Sequence, residues 1–359
     1  MADVQPFCAV RYAHPSPALV APPYDVLSPG ERDRLRASDP HNVVHVTAAD
    51  DEAEAGALYR RWLADGVLVR DDEPAVWVWE QELTSGGGDT RSRRGVVASL
   101  RAEPYDRRIV LPHERTHAGP IRGRLRLLRA AQAQVEPLFF LYEGRPPLDV
   151  PDRPPDLEAG DTRLWRLGDG GRVTEFFDGR QVLIADGHHR YETSVAYAAE
   201  NGVPGADRVL AVLVATDDPG LEILATHRMF AGRPELAWDG EQCDGVDDAL
   251  ARLDGAAGDR SAAIFYRAGG PVLARGDHGQ LDVELVDGAG LDGISYTVDA
   301  HEAVARVDGG EADCAFLVRP TPIEAVFERA RQGGVMPPKT TYFSPKLTSG
   351  LLFLPLGEE

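Results

Sequence analysis

The segment Gln181–Glu200, QVLIADGHHRYETSVAYAAE, narrows the folds open to this chain more than any other. Val182–Ala185 is an uninterrupted apolar run with β-branched members, which predicts a buried strand. Beyond it Tyr191, Val195, Ala196 and Ala199 recur at helical spacing, which predicts a helix. Between the two lies a polar turn, Asp186-Gly187-His188-His189-Arg190. A helix N-terminus presents unpaired backbone N–H groups and the positive end of the macrodipole, so this arrangement attracts anions. Gly187 lets a ligand approach the backbone, and Arg190 carries a fork suited to phosphate or carboxylate. The ordinary alternative is Asp186 as a helix cap beside surface histidines. Five such residues in a row after a buried strand favour a ligand site.

Four further blocks carry polar chemistry. Pro22-Pro23 forbids helix and fixes an extended approach to Tyr24-Asp25, so Asp25 either caps a turn or is held for chemistry. Pro112-His113-Glu114 supplies a titratable pair. After it Gly119-Pro120 is expected to break the chain ahead of a helix through Ala133. Arg122, Arg126 and Arg129 share one face of that helix, with Arg115 just upstream; the stripe reads equally as an anion site or a solvated face. Thr226-His227-Arg228 is expected to follow an apolar strand, where α/β sheets place ligands. The tail block Pro337–Lys346 sets Lys339 and Lys346 among prolines and hydroxyls, a stiff basic segment suited to phosphate or an arm clamped on the core.

DGHHRYET, APPYDV (Ala21–Val26), PHERT (Pro112–Thr116), Thr226-His227-Arg228 and PKTTYFSPK (Pro338–Lys346) together resemble the bacterial and archaeal domain-of-unknown-function family numbered ten-fifteen. The matching blocks run from near the N-terminus to the last few residues. Near Gly123 the family has an acidic residue, and this chain departs from it there. More distantly, the strand, DGHHR turn and helix are similar to the ParB/sulfiredoxin-like fold, whose members bind nucleotides and include free-serine kinases. The resemblance implies that Asp25 lines the site and that the blocks converge on one cleft.

Composition bounds the rest. A 359-residue chain with 43% hydrophobic and 27% charged residues can bury a full core. A formal net charge of −20 argues against a general nucleic-acid partner, because phosphate backbones require a basic face. Cys8, Cys243 and Cys314 are scattered, odd in number and lack C-x-x-C spacing, which points to a reducing compartment and no structural zinc. No signal peptide or membrane-length apolar run is visible, so a cytoplasmic location is expected.

Strand and helix patterns alternate along the chain. Helices are expected after the Ser28 cap, at Asp51–Asp65 (Ala57, Leu58, Trp62 and Leu63 inward), Val246–Leu253, Val298–Val307 and Thr321–Gly333. Strands are expected at Pro6–Tyr12, Asn42–Val46, Pro137–Tyr142, Val209–Ala215 and Cys314–Val318. Hairpins are expected at Pro74–Leu83 with Arg91–Leu100, around Ser85–Asp89, and at Ser261–Arg267 with Gly270–Ala274. The fold class is therefore a two-lobed mixed α+β or α/β chain, with a ParB/sulfiredoxin-like unit around the DGHHR turn. The proline-rich connector Glu143–Asp161 would separate an N-terminal lobe, 1–145, from a C-terminal lobe, 146–359.

Walker, G-x-G-x-x-G and G-x-S-x-G motifs are missing from the sequence. Cations for phosphates plus carboxylates for a hydroxyl proton or Mg²⁺ form the parts list of phosphoryl transfer. The expectation is a nucleotide-dependent kinase of a small hydroxylated metabolite, with ATP or ADP as donor. The resemblance makes a serine-like acceptor the first to try. Asp25, Glu114 and Asp186 are the catalytic candidates, and Asp186 and Glu114 also the Mg²⁺ ligands. Gly187, His188, His189, Arg190, His113, Thr226, His227, Arg228, Lys339 and Lys346 are candidates for phosphate or nucleotide. A zinc site from His113, His188 and His189 is disfavoured, because neighbouring residues on a helix point about 100° apart. The rivals are a ParB-type nucleotide-binding switch and a hydrolase of a phosphorylated metabolite. A homodimer is compatible with all three.

Overall fold

The computed structural model describes residues 1–359 except 85–89, 115, 117, 146–149, 169, 201, 203–204, 257–259 and 358–359. The expected Ser85–Asp89 turn and Arg115 lie outside the described residues. The chain is a mixed α/β protein that divides into two compact units. The first comprises 1–112, 116–221 and 345–359; the second comprises 113–115 and 222–344. The connector expected to separate two lobes lies within the first unit. The strand before it, Leu138–Tyr142, and the strand after it, Thr162–Leu167, belong to one sheet.

The first unit is built on a nine-stranded mixed sheet. Its order is Val110–Leu111, Val182–Asp186, Leu138–Tyr142, Arg208–Ala215, Thr90–Arg101, Val76–Thr84, Thr162–Leu167 and Leu157–Ala159, with Val4–Gln5 also pairing Thr90–Arg101. Two pairings are parallel, Val182–Asp186 with Val110–Leu111 and Arg208–Ala215 with Leu138–Tyr142; the others are antiparallel. Continuous apolar runs form the central strands because both faces are covered. Leu138–Tyr142 and residues 209–215 are buried at every position. Val76–Glu80 is likewise buried on both faces, despite its alternating sequence. One face carries Val182, Ile184, Phe140, Leu213 and Phe177 in a single core.

The helix Ala118–Ala131 packs on Glu52–Ala64 and on His188–Glu200. A Cβ on Gly56 would lie 2.4 Å from the Ala130 carbonyl carbon, so the first of these contacts requires glycine. Pro29–Ser38 has the expected capping box between Ser28 and Glu31.

Several local expectations give way to tertiary packing. Asn42–Val46 is not a strand; Val44–Thr47 is a helical turn. Asn42 imposes it by accepting from the Val44 amide and donating to the carbonyls of Ala18 and Val20. The inward face of Glu52–Ala64 is Ala55, Gly56, Tyr59 and Trp62, while Ala57 is exposed. Gly119-Pro120 does not precede the next helix but lies in its first turn, where a missing amide hydrogen costs little.

The second unit contains a six-stranded antiparallel sheet. Its order is Glu241–Gln242, Gly270–His278, Arg260–Arg267, Cys314–Leu317, His227–Phe230 and Ile294–Thr297. The helices Val246–Asp254 and Ala300–Asp308 cover one face around Met229, Ile264 and Leu317. Asp282–Asp287 packs Val283 and Val286 on the other, around Phe230, Phe265 and Phe316. Leu221–Phe230 is not one strand. Glu222–Leu224 pairs with Tyr342–Ser344, and His227–Phe230 joins the six-stranded sheet, so His227 and Arg228 lie within a strand rather than after one.

Candidate functional site

The first unit places its chemistry at the end of the strand Val182–Asp186. Gly187 turns the chain at φ +99°, and the helix His188–Glu200 begins at once. Few side-chain-bearing residues adopt that φ. A Cβ on Gly187 would also lie 3.2 Å from Nε and Nη2 of Arg190. Arg190 is therefore folded back across the turn. Its Nη2 donates to Asp186 Oδ2 at 2.8 Å and its Nη1 to the Pro137 carbonyl. The second carboxylate oxygen of Asp186 accepts from Lys346 Nζ at 2.6 Å. Burial pushes the Asp186 carboxyl up, but Lys346 and Arg190, with His188 nearby, overcome this and hold it at about 2.

A second carboxylate completes the cluster. Glu136 is 3% exposed; it accepts from the Tyr24 amide at 3.0 Å and from Arg124 Nη1 at 3.2 Å. Arg124 stands over the Tyr24 ring, 3.7 Å from its centroid. Burial pulls the Arg190 guanidinium down, yet Glu136, Asp186 and Asp25 more than offset it and leave its pKa above the ordinary value. Arg124, Arg190 and Lys346 thus face the buried or part-buried carboxylates of Glu136 and Asp186, with Asp25 also acting on Arg190. Asp25, beside Tyr24, is exposed.

Lys346 is set in place by its own backbone. Gln81 Nε2 donates to the Lys346 carbonyl at 3.1 Å, and Arg93 Nη2 donates to the Pro345 carbonyl at 2.7 Å. Arg93 is fully buried between the rings of Trp79 and Phe139, 5.3 and 4.8 Å from their centroids. Burial lowers its pKa to about 10.

The other sequence candidates lie in the second unit. His113 is 1% exposed and its Nε2 meets Thr341 Oγ1 at 2.9 Å, with Glu114 Oε1 at 3.8 Å. Glu114 accepts from the Thr340 amide at 3.1 Å. Lys339 is exposed and adopts a left-handed φ of +57°. Thr226, His227 and Arg228 are all buried. His227 Nδ1 accepts from the Val318 amide at 3.3 Å, and burial lowers its pKa to about 4, so the ring is neutral.

Two candidate roles do not fit these positions. The expected Mg²⁺ ligands are engaged elsewhere: both Asp186 oxygens by Arg190 and Lys346, and Glu114 Oε1 by Thr340. Among the described residues no three His, Cys, Asp or Glu side chains form a metal-binding group. Asp186 and Glu114 as placed here thus do not fit a divalent ion. The arginine stripe is a surface feature: Arg122 is exposed, Arg126 pairs with Glu52 and Arg129 with Glu200. Arg124 of the same helix turns inward instead. Sequence reasoning missed Glu136, Tyr24 and Arg93. Glu136 had a signal, a lone carboxylate at the head of the apolar run PLFFLY.

Fold and site together define a mixed α/β protein with a cationic strand-to-helix turn. A family model described as "Protein of unknown function (DUF1015)" matches residues 4–240, and the chain belongs to that family. No curated protein matches the sequence. Among solved structures, a conserved hypothetical protein from Pyrococcus furiosus is similar at 16% identity, over 70% of this chain and 92% of that one, with a TM-score of 0.40. A free serine kinase in complex with AMP is similar at 14% identity, over 73% and 88%, with a TM-score of 0.43. SbnI with a C-terminal truncation, from Staphylococcus aureus, is similar at 12% identity, over 72% and 87%, with a TM-score of 0.42. No helix among the described residues is long and apolar enough to cross a membrane.

Proposed function

We propose that the chain is a nucleotide-dependent phosphotransferase acting on a small hydroxylated metabolite, with the nucleotide phosphates held at the turn Gly187–Arg190. One observation carries this reading: the cations Arg124, Arg190 and Lys346 converge at a glycine-turned helix N-terminus, in a protein of net charge −20. Such a concentration of positive charge suits a polyphosphate. Lys346, paired with Asp186 in this structure, is the cation assigned to serve it. Its side chain is 16% exposed, on a flexible stem, and needs only to swing from Asp186 to an incoming phosphate oxygen. Arg190 is assigned to support the turn, because Nη1 and Nη2 already donate to Pro137 and Asp186.

In the transfer step the acceptor hydroxyl oxygen bonds to the terminal phosphorus, the bond to the leaving nucleotide oxygen breaks, and the hydroxyl proton passes to a carboxylate. Asp186 is a poor proton acceptor at about pKa 2 and in double ion pairing. Asp25, exposed beside the cluster, is the carboxylate assigned to take the proton.

The test is a thermal-shift titration with AMP, ADP and ATP on the wild type and Lys346→Met, followed by ³¹P NMR with a panel of hydroxylated acceptors. Stabilisation by a nucleotide that falls at least tenfold in apparent affinity in Lys346→Met, with transfer lost in Asp25→Asn, is expected. Absence of stabilisation by every nucleotide would overturn the reading. Release of inorganic phosphate from a phosphorylated metabolite, with no transfer, would convert it to a hydrolase.

A further inference from the structure

We propose that Thr226 and Arg228 form a binding site in the second unit for one small oxyanion group, a carboxylate or a phosphate. Neither residue belongs to the turn that holds the nucleotide in the reading above, and the inference does not depend on it.

The argument starts from strand geometry. His227–Phe230 is paired on both sides, with Arg228 opposite Tyr296 on one neighbour and Phe316 on the other. Side chains alternate along a strand, so Arg228 and Phe230 share one side and His227 and Met229 the other, with Thr226 immediately ahead of the strand. Phe230 and Phe316 lie in the apolar core of that face. A guanidinium is thereby held at the border of an aromatic core, 3% exposed, its carbon 5.9 Å from the Tyr296 ring centroid.

That guanidinium is not neutralised. Nη1 donates to the Thr226 carbonyl at 2.9 Å, an uncharged and local partner. Nη2 is buried and has no hydrogen-bond partner among the described residues, and neither has the buried hydroxyl of Thr226, itself 3% exposed. Among the described residues no carboxylate is ion-paired with Arg228; Asp287 and Glu114 act on it at longer range. The contrast with Arg319 in the same unit is direct, since that guanidinium is clasped by both oxygens of Asp282. A buried cation without a counter-charge is unfavourable, and so is a buried donor without an acceptor. One group relieves both: an anion with two oxygens, one for Nη2 and one for the Thr226 hydroxyl. His227 takes no part, because it lies on the opposite face, is neutral and already accepts from Val318.

The test uses the full chain carrying Lys346→Met, so that anion binding at the first unit's turn is weakened. Melting temperature is followed with inorganic phosphate in one arm and acetate in the other, at constant ionic strength. One of the two is expected to raise the melting temperature by about 3 °C at saturation. Which arm responds identifies the group as phosphate or carboxylate. Arg228→Met and Thr226→Val, each added to that background, should abolish or at least halve the shift. Arg228→Met should leave the melting temperature without added anion unchanged or raised, since it removes an uncompensated charge; a purely structural arginine would lower it. If Arg228→Met does not fold, Thr226→Val carries the test alone. A shift that persists in both variants, or no shift with either anion, would overturn the proposal.

Discussion

Lys346 Nζ stands 2.6 Å from Asp186 Oδ1, so the counter-charge of the strand-to-helix turn comes from a residue 160 positions further along the chain. The turn is therefore complete only when the C-terminal segment is docked. Its electrostatics then report on that docking.

Replacing Lys346 with Met leaves Asp186 with Arg190 as its only ion-pair partner among the described residues. The Asp186 pKa should rise from about 2 toward the ordinary carboxylate range, and the protein should lose about 2 kcal/mol of stability. Urea midpoints and the carboxyl chemical shift of Asp186 against pH are the measurements.

Arg93 is a positioning residue, because it acts on the turn through the Pro345 carbonyl and through Gln81, which donates to the Lys346 carbonyl. Arg93→Met should cost about 2–4 kcal/mol by leaving buried acceptors unpaired. It should also raise the Asp186 pKa although Arg93 makes no ion pair with Asp186. A merely structural role would lower the urea midpoint and leave that pKa unchanged.

Gly187 combines a φ of +99° with a Cβ position 3.2 Å from the Arg190 guanidinium. Gly187→Ala should destabilise the protein by about 1–3 kcal/mol, and displace Arg190 from Asp186. A helix glycine without either constraint, Gly30, should tolerate alanine within about 0.5 kcal/mol. Parallel urea unfolding of the two variants makes the comparison.

Stability should also fall with acid through His227. Its folded pKa is depressed to about 4 from 6.5, so the unfolded chain takes up the proton first. The contribution is fully present above pH 6.5 and is lost as the pH falls to about 4, amounting to about 3 kcal/mol. His227→Asn keeps an acceptor for the Val318 amide and should flatten the stability profile in that window. A wild-type profile that is flat between pH 6.5 and 4 would contradict the neutral buried ring.

Local pattern carried much of this architecture. The Ser28 capping box, the strand Val182–Asp186 with its following helix, and the hairpin of Arg260–Arg267 with Gly270–His278 were legible because propensity, periodicity and packing agree there. Asn42–Val46 was misread because β-branched residues read as a strand, whereas the Asn42 side chain bonds to three backbone groups and winds the segment into a turn. Arg93 was missed as a site residue because nothing local distinguishes a buried, partnered charge from a solvated one, whereas Glu136 did carry a local signal at the head of PLFFLY.

By itself the sequence determined the mixed α/β class, the strand-turn-helix at DGHHR and the kinds of side chain gathered there. These follow from nearest-neighbour backbone chemistry and from periodic burial. Only the tertiary structure decided which charge answers which. It turned Arg190 onto Asp186 and Pro137, sent Lys346 to Asp186, turned Arg124 inward while Arg126 and Arg129 stayed on the surface, and left Nη2 of Arg228 without an acceptor among the described residues. The physical reason is desolvation: a charge interacts strongly with a partner only where water has been removed, and long-range packing sets where that occurs.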